Sequence, residues 1–169
     1  MSHLIVSFND EHLLAGRMEN VVVAVWRGDI DDAHVRALSN VAYGVIRDAT
    51  RGGGALLVFE EGAREVSVAT RDVSAELVEA AGSIARAMAI VVEGPPEHAR
   101  RFVDRQADVY RRAGTPAALT ALRDVPTACQ WLATKLREAG APSVDPHLMA
   151  RAIADARRGA MSPSTLRDA

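Results

Sequence analysis

The chain has 169 residues, with 20 Lys plus Arg against 22 Asp plus Glu, and its formal net charge of −2 excludes a strongly basic nucleic-acid binder. Hydrophobic residues make up 49% and charged residues 25%, the proportions of a globular domain rather than of a disordered chain. A single cysteine, Cys129, excludes an intrachain disulfide and a Cys-rich zinc site, and no apolar run approaches the roughly 20 residues that a membrane span requires.

Leu4, Val6 and Phe8 alternate with other side chains, which predicts a half-buried strand closed by the turn residues Asn9 and Asp10. Leu13 to Met18 reads as a second short strand, and Asn20 turns the chain into Val21 to Trp26. That run is apolar throughout and mostly β-branched, as in a strand covered on both faces. Gly28 to Asp32 supplies a turn and helix caps, after which Val35, Leu38, Val41, Ala42, Val45 and Ile46 recur at helical spacing. Arg51-Gly52-Gly53-Gly54 breaks this helix and leads into a buried strand, Ala55 to Phe59.

A short alternating piece, Glu65 to Val68, precedes a second helical stripe from Val73 to Ile84, and Ala87 to Val92 is the next strand. Gly94-Pro95-Pro96 ends it and opens a third helix, where proline's missing N–H costs nothing. A weaker strand, Ala117 to Leu122, and a fourth helix opened by Asp124 and Pro126 follow. Gly140 to Ser143 reads as a linker, and Asp145 to Arg158 as a fifth helix whose apolar stripe must bury on its own domain or on a second copy. Strands alternating with helices predict an α/β fold in which a mixed β-sheet, made so by the starting hairpin, is covered by about four helices, with an extra C-terminal helix. Residues 1–140 form the α/β unit in this reading, and 141–169 a linker, helix and flexible tail.

The chain offers little that resembles catalysis. Neither G-x-G-x-x-G nor a Gly-Lys-Ser/Thr loop joins a strand to a helix, and the G-x-S-x-G elbow is absent. The five histidines fall one per segment, which favours solvated surface side chains over a metal site, although His34 stands out beside Asp31 and Asp32. Cys129 lies in a helical stripe without a neighbouring histidine and reads as packing. Glu60-Glu61 ends a strand, but adjacent residues on a strand point to opposite faces, so a solvated pair is expected. Arginine outnumbers lysine 19 to 1, and with 31 alanines this reads as GC-rich coding bias. Locally, however, Arg100, Arg101, Arg105, Arg111 and Arg112 crowd one helix and form a candidate docking face for an acidic protein partner.

The order hairpin, helix, strand, helix, strand, helix, weak strand, helix resembles the STAS domain superfamily of anti-sigma-factor antagonists and their SEC14-like relatives. Three places carry the resemblance: Val21 to Trp26 followed by Gly28-Asp29-Ile30-Asp31, the central strand Leu56 to Phe59, and Leu119 to Leu122 followed by Pro126 to Leu132. It covers roughly Leu4 to Glu138. The resemblance implies a non-enzymatic regulatory module that binds a partner protein, often under control of serine phosphorylation at the start of the second helix. Where the family carries Asp-Ser-Ser-Gly this chain has Ala69 to Ser74, so Thr70 and Ser74 are the candidate phospho-acceptors, and a helix N-cap accounts for either hydroxyl as well.

The expectation is therefore a cytoplasmic STAS-like interaction or regulatory domain of intracellular signalling, without catalytic activity, cofactor or metal, binding a protein and not nucleic acid. A homodimer is the favoured assembly. The alternative is a carrier or sensor of a small apolar or lipid-like ligand, which an enclosed apolar cavity would favour.

Overall fold

The computed structural model describes residues 3–29, 31–63, 76–77, 79–94, 96–115 and 117–160. Six strands form one mixed sheet in sequential order: β1 (Ile5–Asn9), β2 (Leu13–Met18), β3 (Val21–Trp26), β4 (Gly53–Phe59), β5 (Ala85–Val92) and β6 (Ala118–Leu122). The first three are antiparallel neighbours, and β3 to β6 run parallel. Helices α1 (Asp32–Asp48), α2 (Pro96–Arg112), α3 (Val125–Glu138) and α4 (Pro146–Ala160) accompany them. Residues 76–77 and 79–81 are also helical and run into the 3-10 turn Gly82–Ile84. The α/β architecture with a mixed sheet read from the sequence is the one observed.

The strand order decides where the helices go. Parallel crossovers share one hand, so crossovers that all step the same way across a sheet all lie on the same face. Val41, Ala42 and Val45 of α1, Leu77, and Val103, Val109 and Tyr110 of α2 accordingly pack together against Val22, Ala24, Trp26, Leu57, Phe59, Met88 and Ile90. The alternate strand positions, Val21, Val23, Val25, Leu56, Val58, Ala89 and Val91, face the other way. No crossover can cover them. Helix α3 does so with Ala128, Cys129, Leu132 and Leu136, and α4 adds Met149 and Ile153, both almost fully buried. The apolar stripe of α4 thus buries on its own chain, in the same core as α3.

Covering both faces explains why all six residues of β3 are buried. Side-chain caps fix the helix starts: Asp31 accepts from the N–H groups of Ala33 and His34, Asp124 from Thr127, and Asp145 from His147 and Leu148. The three glycines after α1, Gly52 just before β4 and Gly53 and Gly54 at its start, also admit backbone at close range. A Cβ on Gly53 would stand 2.6 Å from the Asn20 carbonyl oxygen, and Gly52 has a φ of 104°. The buried Asn20 amide uses that proximity, donating to Gly52 O at 2.8 Å and to Pro142 O at 2.9 Å. It ties the β2–β3 turn to the link between α3 and α4.

Two glycine substitutions should move stability in opposite directions. A Cβ on Gly16 would lie 2.5 Å from the Ile5 carbonyl oxygen across the β1–β2 pair, whereas one on Gly44 in α1 meets nothing within 4 Å. Gly16→Ala is expected to cost about 1–3 kcal/mol through forced displacement of β1. Gly44→Ala is expected to stabilise by about 0.5–1 kcal/mol, the helix preference of alanine over glycine. Urea denaturation of both variants checks the pair.

Candidate functional site

The carboxyl ends of parallel strands are where open α/β sheets hold their ligands. In this chain that rim carries two adjoining networks of charged residues. Asp10 in the β1–β2 turn accepts at Oδ1 from the N–H groups of His12 and Leu13, both at 2.8 Å, and its Oδ2 lies 2.8 Å from His34 Nε2. His34 occupies the third position of α1, where its Nδ1 reaches back to the Asp31 N–H at 3.1 Å and closes a capping box usually completed by Glu or Gln. The residue is 6% exposed. Phe8 and His12 meet it edge-on, each with ring centroids 5.5 Å away. Gly28 makes room for His12, because a Cβ there would stand 2.6 Å from His12 Nδ1.

This geometry uses both imidazole nitrogens of His34. In the neutral ring Nε2–H donates to Asp10 while Nδ1 accepts from the Asp31 N–H; a doubly protonated ring would turn Nδ1–H toward Asp31 Oδ1, 2.6 Å away. Neither nitrogen is left to take a substrate proton or ligate a metal. The expectation of a solvated histidine fails here because the partner that buries the ring, Asp10, lies 24 residues upstream. Burial pushes the Asp10 carboxyl up, but the two backbone N–H groups and His34 outweigh it and leave it below the ordinary carboxylate range.

A second network lies beside the first. Glu60, just past β4, accepts from Arg157 Nε at 2.9 Å and faces Arg27 Nε at 3.8 Å. Arg157 also grips Glu93 through two parallel bonds of 2.8 and 2.7 Å, and Glu93 is the main cause that raises the arginine's pKa. Arg27 Nη1 donates to Asn9 Oδ1 and to Asp10 O. Glu60 is therefore the anchor of the last turn of α4, not a solvated carboxylate, while Glu61 is exposed. Two of the buried donors without a partner lie at this rim, Trp26 Nε1 and Arg27 Nη2. They do not converge, since neighbouring strand residues point to opposite faces and the Trp26 ring stacks on Phe59 at 4.9 Å.

The other sequence candidates are placed as follows. Cys129 is fully buried, and burial, with Asp124 adding to it, pushes its thiol up to about 12, so it packs as an apolar side chain. Arg101, Arg111 and Arg112 are exposed on α2 and Arg105 is half-buried; Arg111 pairs with Asp108. The side chain of Arg100, and Thr70 and Ser74, lie outside the described residues. Among the described residues no three His, Cys, Asp or Glu side chains gather as a metal site needs, and no helix is long and apolar enough to cross a membrane. An open groove of about 480 Å³ lies between β1 and α4, lined by His3, Leu4, Val6, Leu148, Arg151, Ala152, Asp155 and Ala156. Comparison with protein-family models, curated proteins and solved structures finds no match.

Sequence reasoning missed Asp10, Arg27, Glu93 and Arg157. A local signal existed only for His34, because Asp31-x-x-His34 has the spacing of a capping box.

The Asp10–His34 clasp should be visible in pH-dependent stability. The folded Asp10 carboxyl titrates below the unfolded value of about 3.9, so its contribution is complete above about pH 5 and is lost as pH falls through that unfolded value toward the folded one. Asp10→Asn should therefore be less stable than the wild type at pH 7, by a gap that shrinks between about pH 5 and pH 3. A gap independent of pH in urea titrations would remove the carboxylate's charge from the account. His34→Ala should cost about 1–3 kcal/mol at neutral pH, since it leaves Asp10 Oδ2 and the Asp31 N–H without partners.

Proposed function

We infer that this chain is a non-enzymatic, STAS-like interaction domain of intracellular signalling that receives an acidic protein partner on the arginine face of α2. The observation that carries the reading is the state of the rim at the strand carboxyl ends. The side chains that could perform acid–base chemistry there are held by one another: His34 by Asp10 and Asp31, Glu60 and Glu93 by Arg157. A catalytic constellation needs at least one of them directed at a substrate. The succession of hairpin, helices and strands in the described residues also agrees with the element order on which the family resemblance rests.

Helix α2 presents Arg101, Arg111 and Arg112 to solvent while Val103, Val109 and Tyr110 hold it to the sheet. Guanidinium groups suit bidentate contacts to carboxylates, so an acidic surface or phosphopeptide fits this face better than nucleic acid does, given the acidic balance of the whole chain. Among the described residues, the β1–α4 groove offers the carrier reading little support, because it is open and a lipid-like ligand lying in it would keep much of its surface in water.

The test is comparative capture. The wild-type chain and an Arg101→Glu/Arg112→Glu variant are immobilised at equal density, and proteins retained from extracts of the native host are quantified by mass spectrometry. At least one acidic protein should be retained by the wild type and reduced about tenfold with the variant, as loss of charge-complementary contacts predicts. Equal recovery of the same proteins by both would refute the arginine face. Intact-mass measurement of the chain from the same host should show phosphate that is lost in Thr70→Ala/Ser74→Ala; an unphosphorylated wild type under all growth conditions removes the switch.

A further inference from the structure

Three of the four large apolar side chains most exposed on the described surface lie at one edge of the fold: Ile5 at 54%, Val6 at 40% and Leu148 at 48%. Ile5 and Val6 belong to β1, which ends the sheet and offers an unpaired row of backbone N–H and C=O groups. Val6 and Leu148 line the groove between β1 and α4, with Leu4 and Ala152 deepening it. Five-residue β1 carries no lysine, proline or other charge to discourage pairing; its only irregularity is the register shift between Val6 and Phe8.

We propose that this edge is a two-fold interface, in which β1 and α4 of one copy meet β1 and α4 of a second copy. A two-fold axis normal to the sheet reverses every direction in its plane, so it makes both the β1 pair and the α4 pair antiparallel. The charges on α4 suit that arrangement. Arg151 and Asp155 flank the groove one helical turn apart, about 6 Å along the axis. In an antiparallel pair that crosses near Ala152 and Ile153, Arg151 faces Asp155 of the second copy, and the same contact recurs on the other side of the axis. Arg151 has no ion-pair partner among the described residues of its own chain, while Asp155 is held by Arg158. The two copies of Leu148 and Val6 close over the groove between the paired helices.

Size sets the expected strength. A five-residue strand beside a helix of about four turns offers a face of roughly 20 Å by 15 Å. That is about 300 Å² per copy, below the stable class and within the weak, transient one, and the register shift shortens the regular part of the strand rim, so the helix contacts carry most of the association. The dimer is accordingly concentration-dependent. It leaves the arginine face of α2 free, because α2 lies on the opposite side of the sheet from α4.

Sedimentation equilibrium of the full chain, from micromolar to hundreds of micromolar, tests the interface. The wild type should pass from the 18.1 kDa chain mass to twice that value. Leu148→Asp should weaken the dimer at least about tenfold, and Arg151→Glu should do the same by setting two like charges against each other. The swap Arg151→Asp/Asp155→Arg should restore association, because a structural defect in α4 would not be repaired by exchanging the two charges. Circular dichroism and urea midpoints matching the wild type confirm that each variant is folded. A wild type that stays monomeric throughout overturns the proposal, as does a dimer indifferent to Leu148→Asp and Arg151→Glu. A swap variant no better than Arg151→Glu overturns the charge pairing and with it the antiparallel crossing.

Discussion

A sheet with sequential strand order and same-handed crossovers can have helices on only one of its faces unless the chain supplies more. Everything else in this fold answers to that constraint. α1, the helical stretch before β5, and α2 are committed to one side by the connections they make. The opposite side exposes the inner row of β2 to β5, including Leu14, Val23, Leu56 and Val91, each without solvent exposure in the finished fold. Leaving such a row open would forfeit about 25 cal/mol for every Å² of apolar surface. The chain therefore has to come back after its last strand, and α3 and α4 are that return.

The return explains why polar groups appear where they do. Two helices laid on a sheet by apolar packing alone could slide, since burial has no direction. Asn20 fixes the α3–α4 link to the β2–β3 turn by a hydrogen bond that spans 122 residues, and Arg157 fixes the last turn of α4 to Glu60 and Glu93. On the other face the Asp10–His34 contact does the same for α1, joining its first turn to the hairpin. These partly exposed contacts each contribute modest free energy, but they choose among packings that burial alone would make nearly equal.

What the sequence reveals follows the same division. β3 was legible because burial on both faces leaves an unbroken apolar run, and α3 because Val125, Ala128, Leu132 and Leu136 keep a helical period. The start of β4 was set two residues late, since glycines carry no pattern and their reason, the approach of the Asn20 carbonyl, is a tertiary one. The rim was largely illegible. Glu60 and Glu93 look like any strand-end carboxylates until Arg157, far along the chain, is brought to them. A surface reading of His34 failed for the same reason.

The distribution of committed and uncommitted groups then separates scaffold from surface. At the strand carboxyl ends, charge is met by charge from elsewhere in the same chain, which ties that rim together. Exposed groups lie instead on the flanks: Arg101 and Arg112 of α2 on one side of the sheet, and apolar side chains with an open strand edge along β1 and α4. The two flanks are on opposite faces, so occupation of one does not block the other. Which side chains each side presents to solvent thus follows from the strand order that obliged the chain to build two different helical layers.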